Sequence, residues 1–288
     1  SAYGIFSLAR TLCESINIFT KAGFDVGIVR YLGERHESSH AASNARLVRI
    51  VLATVLILSV VPVVAIYAGG GALLQEHVYK YPEFNLILMV MMLSVPFMSL
   101  TQVLGGVFRG VLQIYHRVIA ELFLQPFMRL AIVAILFLVG LRMWSVVAGT
   151  VMSFLITTLY LLAKFRKTLF QGTYKSSMAI DHGLWNELVA VGKYSMIISL
   201  TGSVSVLLAR TDIIMLGYFT SAHEVGQYAV LQLLVGTIAI FNGALNQAVA
   251  PMMAQFCKAG NHSEMRHMVH QHTRWVMITT LPFFMIIA

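Results

Sequence analysis

The sequence predicts an all-α membrane protein: a polytopic helical bundle of two pseudo-symmetric lobes, with about eight transmembrane helices in this chain. Three observations carry that expectation. Between Glu224 and Lys258 the chain runs 33 residues without a charged side chain. A water-soluble helix cannot do that, because one of its faces must meet solvent. Stretches of the same kind recur at 50–75, 84–108 and 143–163, and a bilayer core needs only about 20 apolar residues to be crossed. Finally, the opening helix and its loop match an ungapped helix–loop–helix stretch 225 residues later, where either an internal repeat or a coincidence of apolar composition accounts for the identities. Tyr3 falls on Tyr228, Leu8 on Leu233, Asn17 on Asn242, Ser38 on Ser263 and Arg49 on Arg274. Repeated lobes of this kind bind substrate between them, near the membrane midplane.

Composition agrees. The chain is 58% hydrophobic and 11% charged, with a mean hydropathy of +0.78, which excludes an ordinary soluble domain. A net charge of +8 would point to nucleic acid in a soluble protein. Here the basic residues sit in short loops between spans, so no nucleic-acid partner is expected. Cys13 and Cys257 have no metal-ligand spacing. The chain opens at Ser1 just before one apolar helix and stops at Ala288 inside another, so it reads as a fragment of a longer protein.

The spans fall at 3–22, 48–68, 86–108, 118–140, 143–163, 188–218, 226–253 and, incomplete, 275–288. Thirteen basic residues lie in one set of loops and only Lys80 and Arg142 in the other. The first set is therefore cytoplasmic, the first helix runs inward, and an odd number of spans precedes it. Tyr67, Trp144, Tyr218, Tyr228 and Trp275 fall near the expected interfaces. The long basic connection 164–187 divides a first lobe, 1–163, from the start of a second, 188–288. Gly69, Gly70 and Gly71 read as the opening of an outer loop.

Function must lie in polar groups inside the membrane, where charge costs roughly 3 kcal/mol or more and faces protein or water. Ser7, Arg10, Glu14, Asn17 and Lys21 share one face of the first helix. Arg10 and Glu14, four apart, can pair locally, and the bland reading is an ion pair that only fixes packing. Glu121, Gln125 and Arg129 repeat the device in the fourth helix, where Pro126 suits a bend. Snorkelling could account for Glu121, but Arg129 lies deeper. Arg210 and Asp212 lie near the outer end of the sixth helix and, two apart, face different neighbours. Arg210 could equally be an interfacial anchor. In the seventh helix Gly236 and Gly243 suit close packing. Asn242 and Asn246 fall opposite Asn17 and Lys21 under the 225-residue shift and read as cavity lining. His262, His267, His270 and His272 surround Arg266 with no carboxylate or cysteine to complete a metal site, so they read as a solvated helix. No nucleophile motif or glycine-rich phosphate loop stands out, and the chain has only three aspartates. That argues against a membrane glycosyltransferase, which would need an acid pair at the membrane surface, and no cofactor is called for.

The stretch LLARTDIIMLGYFTSAHEVGQYAVLQLL, followed by VAPMMAQFCKAGN, resembles the polysaccharide (O-antigen type) flippases of the multidrug/oligosaccharidyl-lipid/polysaccharide exporter superfamily. The opening YGIFSLARTL…KAGFDVGIVRYL is similar to that family's second helix, and FRGVLQIYHR to its cytoplasmic turn after the fourth. The resemblance implies two lobes around a central cavity in a prokaryotic cytoplasmic membrane. It implies alternating access that carries a polyprenyl-diphosphate-linked oligosaccharide outward for cell-surface polysaccharide such as lipopolysaccharide O-antigen. Arg10, Lys21, Arg129 and Arg210 are then the candidates for the diphosphate, with Asn242 and Asn246 lining the cavity. Glu14, Glu121 and Asp212 are the counter-charges or ion-coupling groups, for protons or sodium. The alternative within the superfamily is a multidrug or small-molecule antiporter, which would need an acidic cavity. Here basic residues outnumber acids inside the spans.

Overall fold

The computed structural model describes residues 2–34, 41–77, 79, 81, 83–170, 182–233, 235–236, 249 and 262–287. Among them every regular element is helical. The chain forms two compact units, Ser1–Gly226 and Gln227–Ala288. Among the described residues, four helical stretches are long and apolar enough to cross a membrane: Ala45–Glu76, Phe84–Gly110, Ile114–Leu138 and Arg142–Lys167.

The first unit opens with α1 (Ala2–Lys21) and α2 (Phe24–Glu34). They are separated by Ala22 at φ 47° and Gly23 at φ 71°. Two successive left-handed residues cannot continue a right-handed helix, so the expected span ends where the glycine lets the chain turn. Gly23 also has no room for a side chain: a Cβ there would meet the Ser195 carbonyl and the Ser199 Cβ. After the turn, the Gly23 carbonyl accepts from Val26 and Gly27 at 3.0 Å each, and α2 begins.

Helix α3 (Ala41–Ala65) continues through a π-helical turn, Ile66–Gly70, into α4 (Gly71–His77). The triple glycine therefore does not open a loop as its composition suggested. Gly69 takes φ 118° and kinks the helix, and helical structure resumes at Gly71. Helices α5 (Phe84–Met92) and α6 (Ser94–Gly110) follow. Next come the short α7 (Ile114–Val118), a second π turn (Ile119–Leu124), and α8 (Gln125–Leu138). Pro126 has no N–H to give the carbonyl four residues back, and the wider π turn falls just before it. Helix α9 (Arg142–Phe170) and the 38-residue α10 (His182–Phe219) complete the long elements of this unit. Residues 222–233 are helical (α11). The expected span 226–253 falls largely outside the described residues.

The most enclosed helix is α6. Val103, Leu104, Val107 and Phe108 pack among Ile28 and Leu32 of α2, Val48, Val51 and Val55 of α3, and Leu161 and Phe165 of α9. Glycines set the spacing: a Cβ on Gly106 would strike the backbone of Asp25, and one on Gly110 would strike Leu32. Small residues let backbones approach where no hydrophobic effect drives helices together. Hydroxyls add directional contacts. The Ser99 hydroxyl donates to Asn17 Oδ1 at 2.7 Å and lies 2.8 Å from the Thr20 hydroxyl. Thr101 and Thr158 join α6 to α9 at 2.9 Å. Outward, the π turn and α8 expose Leu122, Phe123, Phe127, Ile135, Phe137 and Leu138, a surface suited to lipid.

In the second unit α12 (His262–Ile287) carries the four histidines along its first half, with Pro282 near its end. Among the described residues no group of three His, Cys, Asp or Glu could hold a metal ion.

Candidate functional site: an arginine–glutamate bridge between α1 and α10

The polar face of α1 divides into three parts, because each turn meets a different neighbour. Midway along it, Arg10 Nε binds Glu14 Oε1 at 2.8 Å. The other carboxylate oxygen, Glu14 Oε2, binds Arg210 Nη2 of α10 at 2.7 Å. One carboxylate thus bridges two guanidinium groups from different helices. Arg129 of α8 lies within electrostatic range of Arg10 and Glu14. The bridge sets two guanidinium groups against one carboxylate, a net of one positive charge.

Arg129 also opens onto a cavity of about 490 Å³. Glu121 and Gln125 share its polar wall, and Pro126, Leu130 and Val146 supply apolar wall. That volume lies within the ~300–1,000 Å³ of small-molecule sites.

The other candidates lie apart. Asn17 is buried against α6 through its bond from Ser99. Lys21 lies roughly 16 Å further along α1 than Arg10, and its ammonium binds Asp25 Oδ2 at 2.9 Å. Arg109 of α6 donates to the Asp25 carbonyl at 3.1 Å, which completes a polar group where the end of α1 meets α2 and α6. Glu121 pairs with Arg117 at 2.9 Å and packs against Gly105, where a Cβ would sit 2.6 Å from its Oε1. Asp212 accepts from the next backbone amide, of Ile213, at 3.0 Å. Asn242 and Asn246 lie outside the described residues.

Sequence reading missed Asp25 as the partner of Lys21. Their i,i+4 spacing was a usable signal, although the break at Ala22–Gly23 lies between them. It also missed Tyr79 and Tyr81, whose hydroxyls reach backbone carbonyls at the end of α10. Nothing local marks those two.

In this site ionised donors face an acceptor-only carboxylate. Guanidinium groups offer five N–H donors each in a planar fork, which suits carboxylate and phosphate oxygens. Arg10 and Arg210 each meet Glu14 through one nitrogen, so a fork on either side retains further N–H groups with which to meet an anion.

The profile of the polysaccharide biosynthesis protein family matches residues 1–257. A comparison with curated proteins gives no match. Among solved structures, the chain is similar to an inward-facing multidrug resistance MATE family transporter of the MOP superfamily. The TM-score is 0.70 at 13% identity, covering 98% of this chain and 67% of that one. It is also similar to the MATE multidrug transporter DinF-BH, solved as a complex, with a TM-score of 0.57 at 16% identity, covering 98% of this chain and 64% of that one. The chain thus spans about two thirds of the length of these structures. Its long apolar helices and the fold it shares with these structures are those of a multi-pass helical membrane bundle, and the chain belongs to the polysaccharide biosynthesis protein family.

Proposed function

We propose that the protein is a transporter that flips a polyprenyl-diphosphate-linked oligosaccharide across a prokaryotic cytoplasmic membrane by alternating access, for cell-surface polysaccharide such as lipopolysaccharide O-antigen. The observation that carries this reading is the Arg10–Glu14–Arg210 bridge between α1 and α10, where guanidinium outnumbers carboxylate, with Arg129 of α8 within electrostatic range. A diphosphate cannot enter a low-dielectric space unpaired, and Arg10, Arg129 and Arg210 would pair it. Lys21, with Asn242 and Asn246, would line the path, and Glu14, Glu121 and Asp212 would be the counter-charges through which protons or sodium could act. In this reading residues 1–163 form a first lobe, 164–187 the cytoplasmic connection, and 188–288 the start of a second lobe.

A multidrug antiporter is the second reading, because the similar solved structures are described as multidrug transporters. A cationic drug would need the opposite sign of charge.

The test is translocation of a fluorescent polyprenyl-diphosphate sugar by the full-length protein in vesicles. The proposal predicts that Arg10→Ala, Arg129→Ala and Arg210→Ala each slow it, and that pairs are non-additive because they share one ligand. Normal transport by all three variants at normal membrane levels would refute the cationic site. Transport of organic cations in place of the lipid would favour the second reading.

A further inference from the structure

The Arg10–Glu14–Arg210 bridge contains more than a cationic site requires. Only one acid stands in it, and both of that acid's oxygens are committed, one to each guanidinium, at 2.8 and 2.7 Å. The two bonds differ in kind. Arg10 and Glu14 are neighbours on one helix, whereas Glu14 and Arg210 join α1 to α10. Both arginine side chains keep substantial exposure, 40% for Arg10 and 36% for Arg210, against 18% for Glu14. Both guanidinium groups thus remain accessible on one side, so an incoming anion can reach either of them without first displacing the carboxylate. A phosphate group offers the same oxygen acceptors to the same planar forks.

We propose that Glu14 is a resident stand-in for the ligand's phosphate. It occupies the guanidinium forks when the site is empty and yields Arg210 to the anion when the site fills. This deepens, and rests on, the reading of the cluster as a diphosphate site. In the empty site the carboxylate offsets the mutual repulsion of the two guanidinium groups it bridges. In the filled site the phosphate takes over that task, and α10 loses its charge link to α1. Glu14 is thus a specificity-determining residue. It sets a threshold: a ligand must be a better acceptor than a carboxylate already in place. A neutral lipid alcohol does not meet it.

The test is binding by the full-length protein in lipid nanodiscs, with a short-chain prenyl diphosphate as probe and the matching prenyl alcohol as control. Glu14→Gln keeps the shape and removes the competing charge, so the diphosphate is expected to bind about tenfold tighter. Vesicle transport of the lipid-linked sugar should then show a lower KM and a lower kcat, since release slows. Glu14→Asp is one methylene shorter and cannot hold both forks, so it should tighten binding by a smaller factor. It serves as the test if the Gln variant fails to reach the membrane. A merely structural acid would lower thermal stability without tightening binding. If the wild type binds the diphosphate and both variants bind it equally or more weakly, the stand-in role is overturned and the proposed function survives. If the wild type binds the diphosphate no better than the alcohol, both fall together.

Discussion

Tyr81 and Thr220 are joined across 139 residues by a hydrogen bond of 2.6 Å, from the phenol hydroxyl to the backbone carbonyl. The same hydroxyl lies 2.8 Å from the Gly217 carbonyl, so one proton serves two acceptors at the end of α10. The last carbonyls of a helix have no partner within it, and Tyr81 supplies one. Tyr79, one turn deeper, reaches the Ile214 carbonyl at 3.4 Å.

Burial raises the pKa of both phenols; Tyr79 is further raised by Tyr81, and Tyr81 by the charge of Glu224. The unfolded chain ionises its tyrosines near pH ~10, and the folded protein ionises these two only above that. The stability they contribute is therefore full below pH ~10 and is lost as pH rises through the raised folded values. Tyr81→Phe should lower stability by about 1 kcal/mol at neutral pH and flatten the alkaline limb of a melting-temperature profile in detergent. An unchanged limb would show that this contact does not hold α10.

The charge swap Arg10→Glu with Glu14→Arg preserves the local pair on α1 but sets the new arginine against Arg210. Surface glycan export, normalised to membrane-inserted protein, should fall to near background. Adding Arg210→Glu restores the contact between the helices while reversing the sign of the three-residue bridge, so it should recover thermal stability without recovering export. Full export by the double swap would remove Arg10 from the site.

Gly27 on α2 and Gly106 on the α6 helix that packs against it should respond differently to alanine. At Gly27 the new Cβ meets the Ser195 hydroxyl, which can rotate away; at Gly106 it meets the backbone of Asp25, which cannot. Gly106→Ala should cost about 1–3 kcal/mol, read as a lower melting temperature, and Gly27→Ala distinctly less. Equal losses would mean that α2 shifts as a rigid body instead of resisting locally.

Orientation is open to chemical test. Thirteen basic residues against two predict that the connection 164–187 lies on the cytoplasmic side. A cysteine introduced there should be protected from an impermeant thiol reagent in intact cells, and one beside Lys80 should react. Reversed labelling would invert the topology.

The elements that sequence made legible are those whose signal is local. The 3.6-residue period exposed the polar face of α1, and the spacing of Arg10 and Glu14 anticipated their pair. The end of the first span fell at the Ala22–Gly23 break, because glycine after an apolar run is itself a stop signal. What the sequence hid is long-range. Nothing near Arg210 announces that its partner is Glu14, on a helix far earlier in the chain, and nothing near Tyr81 announces α10. The glycine run at Gly69 misled because composition cannot distinguish a loop from a kink within a helix. The packing glycines Gly23, Gly27 and Gly106 gave no warning, since a glycine's role depends on what approaches it.

The π turn at Ile119–Leu124 has a consequence for where charge sits in the wall of the bundle. Such a turn holds one residue more than a regular helix of the same rise, and each residue rotates the helix by about 100°. The direction in which Arg129 points is therefore fixed upstream of it, by an inserted amino acid and not by the arginine. Deleting a single residue within that turn would leave the sequence of α8 unchanged yet rotate the whole helix by about 100°, carrying the guanidinium off its present face. Chain length, as much as residue identity, is what aims this cation.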